Sequence, residues 1–230
     1  MPDQMPQDDT PRSDPAPARR RAGSARQPKQ PRSQASLERM LQATQALMLE
    51  RGNEDFTLQD VGNLGQVSIG SIYLRFAGKD NLVRAVIAQE FERIEHDERE
   101  MLIRAIGESA CLADFIPRYV TAYAEMLRQH APLLRLIMER AQHDPLVSEP
   151  GKRIARSSDE ASTQAMLRYR HEFGGQDHEL KANAAYQIIF STLARYLSLG
   201  SVAETREEAD WASLKIELGR MTLAYLSTDP

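Results

Sequence analysis

The chain has 230 residues, 41% of them apolar and 6% aromatic, with one cysteine and a formal net charge of −4 at neutral pH. That length supports one or two domains with a substantial core. A lone cysteine excludes an intrachain disulfide and a cysteine-rich zinc site, and no apolar run approaches the roughly 20 residues that span a bilayer. Good helix formers dominate and strand-type alternation is hard to find, so the expected fold class is all-α, in a cytoplasmic protein.

Residues 1–33 are rich in Pro, Gln, Ser, Asp and Arg and show neither a helical nor a strand period. Such a composition buries too little apolar surface to offset ordering, which predicts a disordered tail. Its basic residues are followed by no apolar segment, so it does not read as a signal peptide. Between Arg12 and Arg32 the bases Arg12, Arg19, Arg20, Arg21, Arg26, Lys29 and Arg32 face a single acid, Asp14. From Ala35 to Glu95 acids outnumber bases, so the basic charge is concentrated in the tail.

The first predicted helix runs from about Ser36 to Arg51. Leu37, Met40, Leu41, Thr44, Leu47 and Met48 form one apolar stripe, and Gly52 stops it. Phe56 is expected to fold back onto the same small core. Thr57 then caps a short helix, with Asp60 placed to suit its positive end. Val61 and Leu64 share a face of it before Gly65 and Gln66 interrupt the pattern. Ser68 caps the next helix, along which Ile72 and Phe76 repeat at i, i+4 and should pack inward. Ile69, Ser71, Tyr73, Leu74 and Arg75 stay near the outward side. Two helices joined by so short a turn have the geometry that lays the second into a DNA major groove.

Lys79 opens a long helix to about Ile106, with Leu82, Val83, Val86, Ile87, Phe91 and Ile94 on its apolar side and a heavily charged second half. Asp114 to Gln129 reads as a mostly buried helix, with Pro117 in its first turn. Pro132 is expected to start a separate short helix that Asp144-Pro145 closes. Lys152 to Phe173 is a further helix, polar for two turns and ended by Gly174-Gly175. The last two helices, about His178 to Leu199 and Glu207 to Ser227, are the most apolar pair.

The run from Thr57 to Lys79, TLQDVGNLGQVSIGSIYLRFAGK, resembles the helix-turn-helix of the TetR family of bacterial transcription regulators. Thr57, Asp60, Val61, Val67, Ser68, Gly70, Ser71, Ile72, Tyr73, Phe76, Lys79, Asp80 and Leu82 match its pattern. Gly62 and Gly65 stand at two usual alanines and Gln66 at the usual turn glycine, which predicts positive φ at Gln66 at a cost of about 1–2 kcal/mol. The resemblance is sharp over about Gln34 to Ile94. It implies a DNA-binding domain over 34–94, with the motif at 57–76, and a helical ligand-binding and dimerisation domain over 95–230.

Thr57, Ser71, Tyr73 and Lys79 are placed to meet phosphate oxygens, with Ser68 as the cap beside them. The resemblance implies base-reading positions at Gln59, Ile69, Gly70, Tyr73, Leu74 and Arg75. Gln59 suits adenine, Arg75 suits guanine, and Ile69 and Leu74 suit thymine methyls. The basic tail reads as nonspecific electrostatic help on the phosphate backbone, with a solubilising leader as the plainer alternative.

The family also implies a homodimer on a palindromic double-stranded operator, most simply as a repressor released by a small apolar or amphipathic effector. Met101, Phe115, Tyr119, Tyr123, Met126, Met138, Met166 and Tyr169 are candidate pocket residues, because methionine and tyrosine suit an adaptable apolar cavity. Plain core packing is the alternative for each. Candidate interface residues are Ile189, Leu193, Tyr196, Leu214, Leu218, Met221 and Tyr225, in a four-helix contact between copies.

His96, His130, His143, His171 and His178 make no metal-ligand spacing, and no GxSxG, P-loop or GxGxxG is present. His171, Glu172 and His178 flank a turn and read as surface residues, and Cys111 has no patterned partner. The expectation is a binding protein with no catalysis, cofactor or metal. A DNA-bound structural or cell-division protein of the same fold, with no small-molecule inducer, is the alternative. A helical enzyme is the more distant rival.

Overall fold

The computed structural model describes residues 31–200 and 208–229. The predicted disorder and DNA role of the tail lie outside the described residues up to residue 30. Among the described residues eight α-helices follow one another, α1 (Pro31–Arg51), α2 (Leu58–Gly65), α3 (Ile69–Tyr73), α4 (Lys79–Gly107), α5 (Leu112–Ala141), α6 (Pro145–Leu167), α7 (His178–Tyr196) and α8 (Glu208–Ser227). Among the described residues there is no strand, and no helix is long and apolar enough to cross a membrane.

Three predicted boundaries move, each for a local reason. Helix α1 begins at Pro31, so 31–33 are helical; proline is well suited to a first turn, where its missing N–H has no partner to lose. Helix α5 begins at Leu112 and runs unbroken through Pro132, with Pro117 in its second turn. Both prolines lie on the exposed side of α5, where their rings displace no core packing. Beyond Pro132, Leu133 and Ile137 are buried, and that packing outweighs the break. Asp144-Pro145 opens α6 rather than closing its predecessor. The Asp144 carboxylate accepts the Leu146 N–H at 3.1 Å as N-cap, and Pro145 occupies the first turn.

Two apolar cores result. In the first, Met40, Leu47 and Met48 of α1 pack with Phe56, Val61, Ile72 and the first half of α4, and Leu133, Ile137, Val147 and Ile154 from α5 and α6 complete it. The second lies within α4–α8, around Phe115, Tyr119, Tyr123, Met166, Tyr186, Ile189 and Trp211. Helix α5 is central, touching α4, α6, α7 and α8. Trp211 anchors α8 to it, its indole N–H donating to Glu125 at 2.9 Å. Lys181, buried on α7, donates to the carbonyls of Gly174, Leu226 and Thr228 and so caps the end of α8.

Candidate functional site

The helix-turn-helix is set by its caps. The Thr57 hydroxyl accepts the Asp60 N–H at 3.1 Å and the Asp60 carboxylate accepts the Thr57 N–H at 2.9 Å, a reciprocal capping box at the start of α2. That backbone bond, with Arg51 close by, holds the Asp60 carboxyl below the usual range. Gln66 ends α2 in the left-handed region, at φ 51°, as its place at a usual glycine requires. Ser68 caps α3 by accepting from the Ser71 N–H, and the two hydroxyls lie 2.7 Å apart.

Ile72 is fully buried beneath α3 and Phe76 half-buried, while Ile69, Tyr73 and Leu74 stand outward, Leu74 at 88% exposure. The unburied Tyr73 and Leu74, side by side at the end of α3, form an apolar tip left uncovered by the described residues. Gly70 is exposed, and a methyl there would meet nothing within 4 Å. Gln59 donates to Asn63 at 3.0 Å along the exposed side of α2. Leu64, expected on the same face as Val61, is exposed, and Leu58, Val61, Gly62 and Gly65 are the residues of α2 turned to the core.

Two predicted contacts are engaged elsewhere. Arg75 lies beyond the end of α3 and donates to both the carbonyl and the hydroxyl of Ser33 at 2.6 Å. Its guanidinium ties the recognition helix to the start of α1. Lys79 donates to the Glu54 carbonyl at 2.8 Å and lies over the Phe56 ring, so its ammonium is committed within the head.

In the body, seven of the eight candidate pocket residues share one core: Met101, Phe115, Tyr119, Tyr123, Met126, Met166 and Tyr169. Met138 does not; it is exposed, with its methyl close to Gly200. The i, i+4 spacing of α5 stacks Phe115 on Tyr119 and Tyr119 on Tyr123, with centroids 5.6 and 5.5 Å apart. Tyr169 and Tyr186 extend the row at its ends.

Polar atoms lie behind these rings, and sequence reasoning missed them. Glu98 of α4 is buried and accepts from the Ser158 hydroxyl, which also accepts from Tyr186 at 3.1 Å. Tyr123 and Tyr186 pair through their hydroxyls at 3.2 Å. Burial pushes the Glu98 carboxyl up, against the pull of Ser158, and pushes the phenols of Tyr119, Tyr123 and Tyr186 above their ordinary value. The only available signal was weak: Ser158 and Ser162 at i, i+4 in a stretch that reads as polar surface.

A polar clamp joins head to body. Arg140, near the end of α5, reaches Glu54 before α2, Asp80 at the start of α4 and the α6 cap Asp144, which Arg84 also holds at 2.8 Å. Further along α4, His130 of α5 lies 2.7 Å from Glu90 and 3.1 Å from Asp97.

Of the candidate interface residues, Ile189, Leu193 and Leu218 face the chain's own core and Tyr196 and Leu214 are half-buried. Met221 and Tyr225 are exposed, joined by Leu180, Ile188 and Ile216. The two helices each turn one face inward, and which apolar stripe that is depends on their rotation, which periodicity alone does not fix. Exposed His171 lies 3.6 Å from Glu172, which accepts the Leu112 N–H, and His178 bonds the Gly175 carbonyl; no three such groups gather to hold a metal among the described residues.

Residues 40–86 match the family model described as bacterial regulatory proteins, tetR family. No curated protein matches the sequence. The fold is similar to that of a putative TetR-family transcriptional regulator from Mesorhizobium loti, at 16% identity and TM-score 0.64, covering 85% of this chain and 95% of that one. It is also similar to Salmonella enterica GusR, at 20% identity and TM-score 0.61, covering 84% and 96%. The ketosteroid transcriptional regulator KstR2 of Mycobacterium tuberculosis matches at 15% identity and TM-score 0.57, covering 84% and 95%. Residues 40–86 thus carry the sequence pattern of the tetR family of bacterial regulatory proteins, and the described chain has the fold of solved regulators of that family.

Proposed function

We propose that the chain is a homodimeric repressor, released from a palindromic operator when a small apolar or amphipathic effector enters the body. One observation carries this reading: α4 belongs to both cores. Its Leu82–Ile94 half packs in the head and its Met101–Ala105 segment in the body, with no break between them. A ligand that rearranges the body core shifts the same helix on which the head is mounted, and Arg140 and Arg84 transmit that shift through Glu54, Asp80 and Asp144. The ligand can move the equilibrium only by its differential affinity for the two states.

On this reading 34–94 is the reading head and 95–230 the sensing and pairing body. Ile69, Tyr73 and Leu74 meet thymine methyls and sugar edges, and Gln59 turns from Asn63 to a base. Thr57, Ser68, Ser71 and the backbone at Gly70 approach phosphates. Arg75 and Lys79 act from behind by fixing the recognition helix. Met221, Tyr225 and Ile188 are the apolar residues available to a second copy.

The test is selection of bound sites from a random duplex library, followed by the mass of the complex and by transcription in a reconstituted system. The expected result is a two-fold symmetric site with half-sites about one helical turn apart, two copies bound per site, and reduced transcription. An asymmetric site held by one copy would remove the dimeric reading, and increased transcription would make the chain an activator.

A further inference from the structure

Buried acids in this chain generally have a cation. Glu90 has His130 and Arg93, and Asp144 has Arg84 and Arg140. Glu98 is the exception. It is 6% exposed, its hydrogen-bond partner is the Ser158 hydroxyl, and among the described residues no Lys, Arg or His pairs with it. A carboxyl held so deep without a counter-charge is driven toward its neutral form, and a cation bound beside it would draw it back to the carboxylate.

Two further groups beside it are unspent. Tyr119 Oη and Ser162 Oγ are fully buried neighbours with no hydrogen-bond partner among the described residues beyond each other, and the Tyr119 phenol lies within the electrostatic reach of Glu98. The rings of Tyr119, Tyr123 and Tyr186 pack on one another close by, and an aromatic face attracts a cation. There is also a route inward. An open groove of about 740 Å³ runs between α4 and α5, and Met101 and Met126 belong both to it and to the body core. Unbranched methionine side chains yield readily to a ligand. Four carboxylates, from Asp97, Glu100, Glu108 and Glu125, line the groove against the guanidiniums of Arg104 and Arg118.

We infer that the body core takes a small organic monocation, a protonated or quaternary amine on an aromatic or aliphatic frame, seated against Glu98 and the tyrosine faces. This rests on the reading of the body as an effector site and gives that effector a charge. A neutral donor would hydrogen-bond the hydroxyls and leave the carboxylate uncompensated, and an anion would be repelled.

The experiment titrates the full chain with phenethylammonium and benzyltrimethylammonium, alongside neutral 2-phenylethanol and anionic phenylacetate, by calorimetry and thermal melting. Wild type, Glu98→Gln and Tyr119→Phe are compared. Both ammonium probes are expected to bind saturably and raise the melting temperature, at least about tenfold more tightly than the alcohol or the carboxylate. Glu98→Gln loses that preference while melting no lower than wild type, and Tyr119→Phe, which keeps the ring, retains it. Equal binding of alcohol and ammonium, undiminished ammonium binding by Glu98→Gln, or no ammonium binding at millimolar concentration would each overturn the proposal. Repeating the titrations on the operator complex separates the two readings. Ammonium binding without DNA release upholds the charge of the site and removes ligand-driven release. Release by a neutral or anionic probe alone does the reverse.

Discussion

A methyl group at Gly174 would sit 2.5 Å from the carbonyl carbon of Thr228, against backbone that Lys181 and the Gly174 N–H hold in place. Gly174→Ala is therefore expected to destabilise the chain by about 1–3 kcal/mol in a denaturant titration; an unchanged midpoint would mean that the end of α8 moves freely. Gln66 is the opposite case. Its left-handed backbone is visible in the sequence, because it stands where related motifs have glycine. Gln66→Gly should stabilise the chain by about 0.5–1 kcal/mol, strain relief outweighing the greater unfolded-state freedom of glycine. Gly65 was less legible. A Cβ there would approach the Arg39 carbonyl to 3.0 Å and Ala43 to 3.2 Å, so its smallness answers α1, a neighbour that local pattern does not reveal. The same holds for Arg75 and Lys79: their type and position suited DNA, but their partners, Ser33 and Glu54, lie 42 and 25 residues away in sequence.

At the scale of elements, α4 and α5 are stapled by His130 between Glu90 and Asp97. Burial alone would lower the His130 pKa, but the hydrogen bonds and charge of Glu90 and then Asp97 overcome it and raise the value. A raised folded pKa means that the staple's contribution is complete below the unfolded value of about 6.5 and is lost as pH rises through the folded one. The stability difference between wild type and His130→Gln, measured by denaturation, should be widest near about pH 6 and narrow toward about pH 9; a difference that grows with pH would contradict the assignment. The helices themselves were largely legible, since capping residues and apolar periods are local signals. Pro132 and Asp144-Pro145 misled because a proline reads alike whether it starts, interrupts or ends a helix, and only Leu133 and Ile137 in the far core decide. The polar atoms of the body were hidden for a related reason. Glu98, Ser158 and Tyr186 come from three helices, and nothing local marks a glutamate as buried.

At the scale of the whole molecule, a basic stretch between Arg12 and Arg32 stands against a net negative charge, and on the proposed reading it supplies attraction to duplex while α3 supplies reading. Removing residues 1–30 is expected to weaken binding to operator and unrelated duplex by the same factor and to flatten the dependence of affinity on salt. A loss confined to the operator would instead give the tail a base-reading role. The central claim is that α3 reads DNA through its exposed apolar tip. It is tested most directly by a mobility shift on DNA from just upstream of the chain's own gene, comparing wild type with Tyr73→Ala across a salt series. The account predicts a specific shift that weakens steeply with salt and falls by about 1–3 kcal/mol in the variant, while binding to unrelated DNA changes little. No specific shift, or one indifferent to Tyr73, would contradict it.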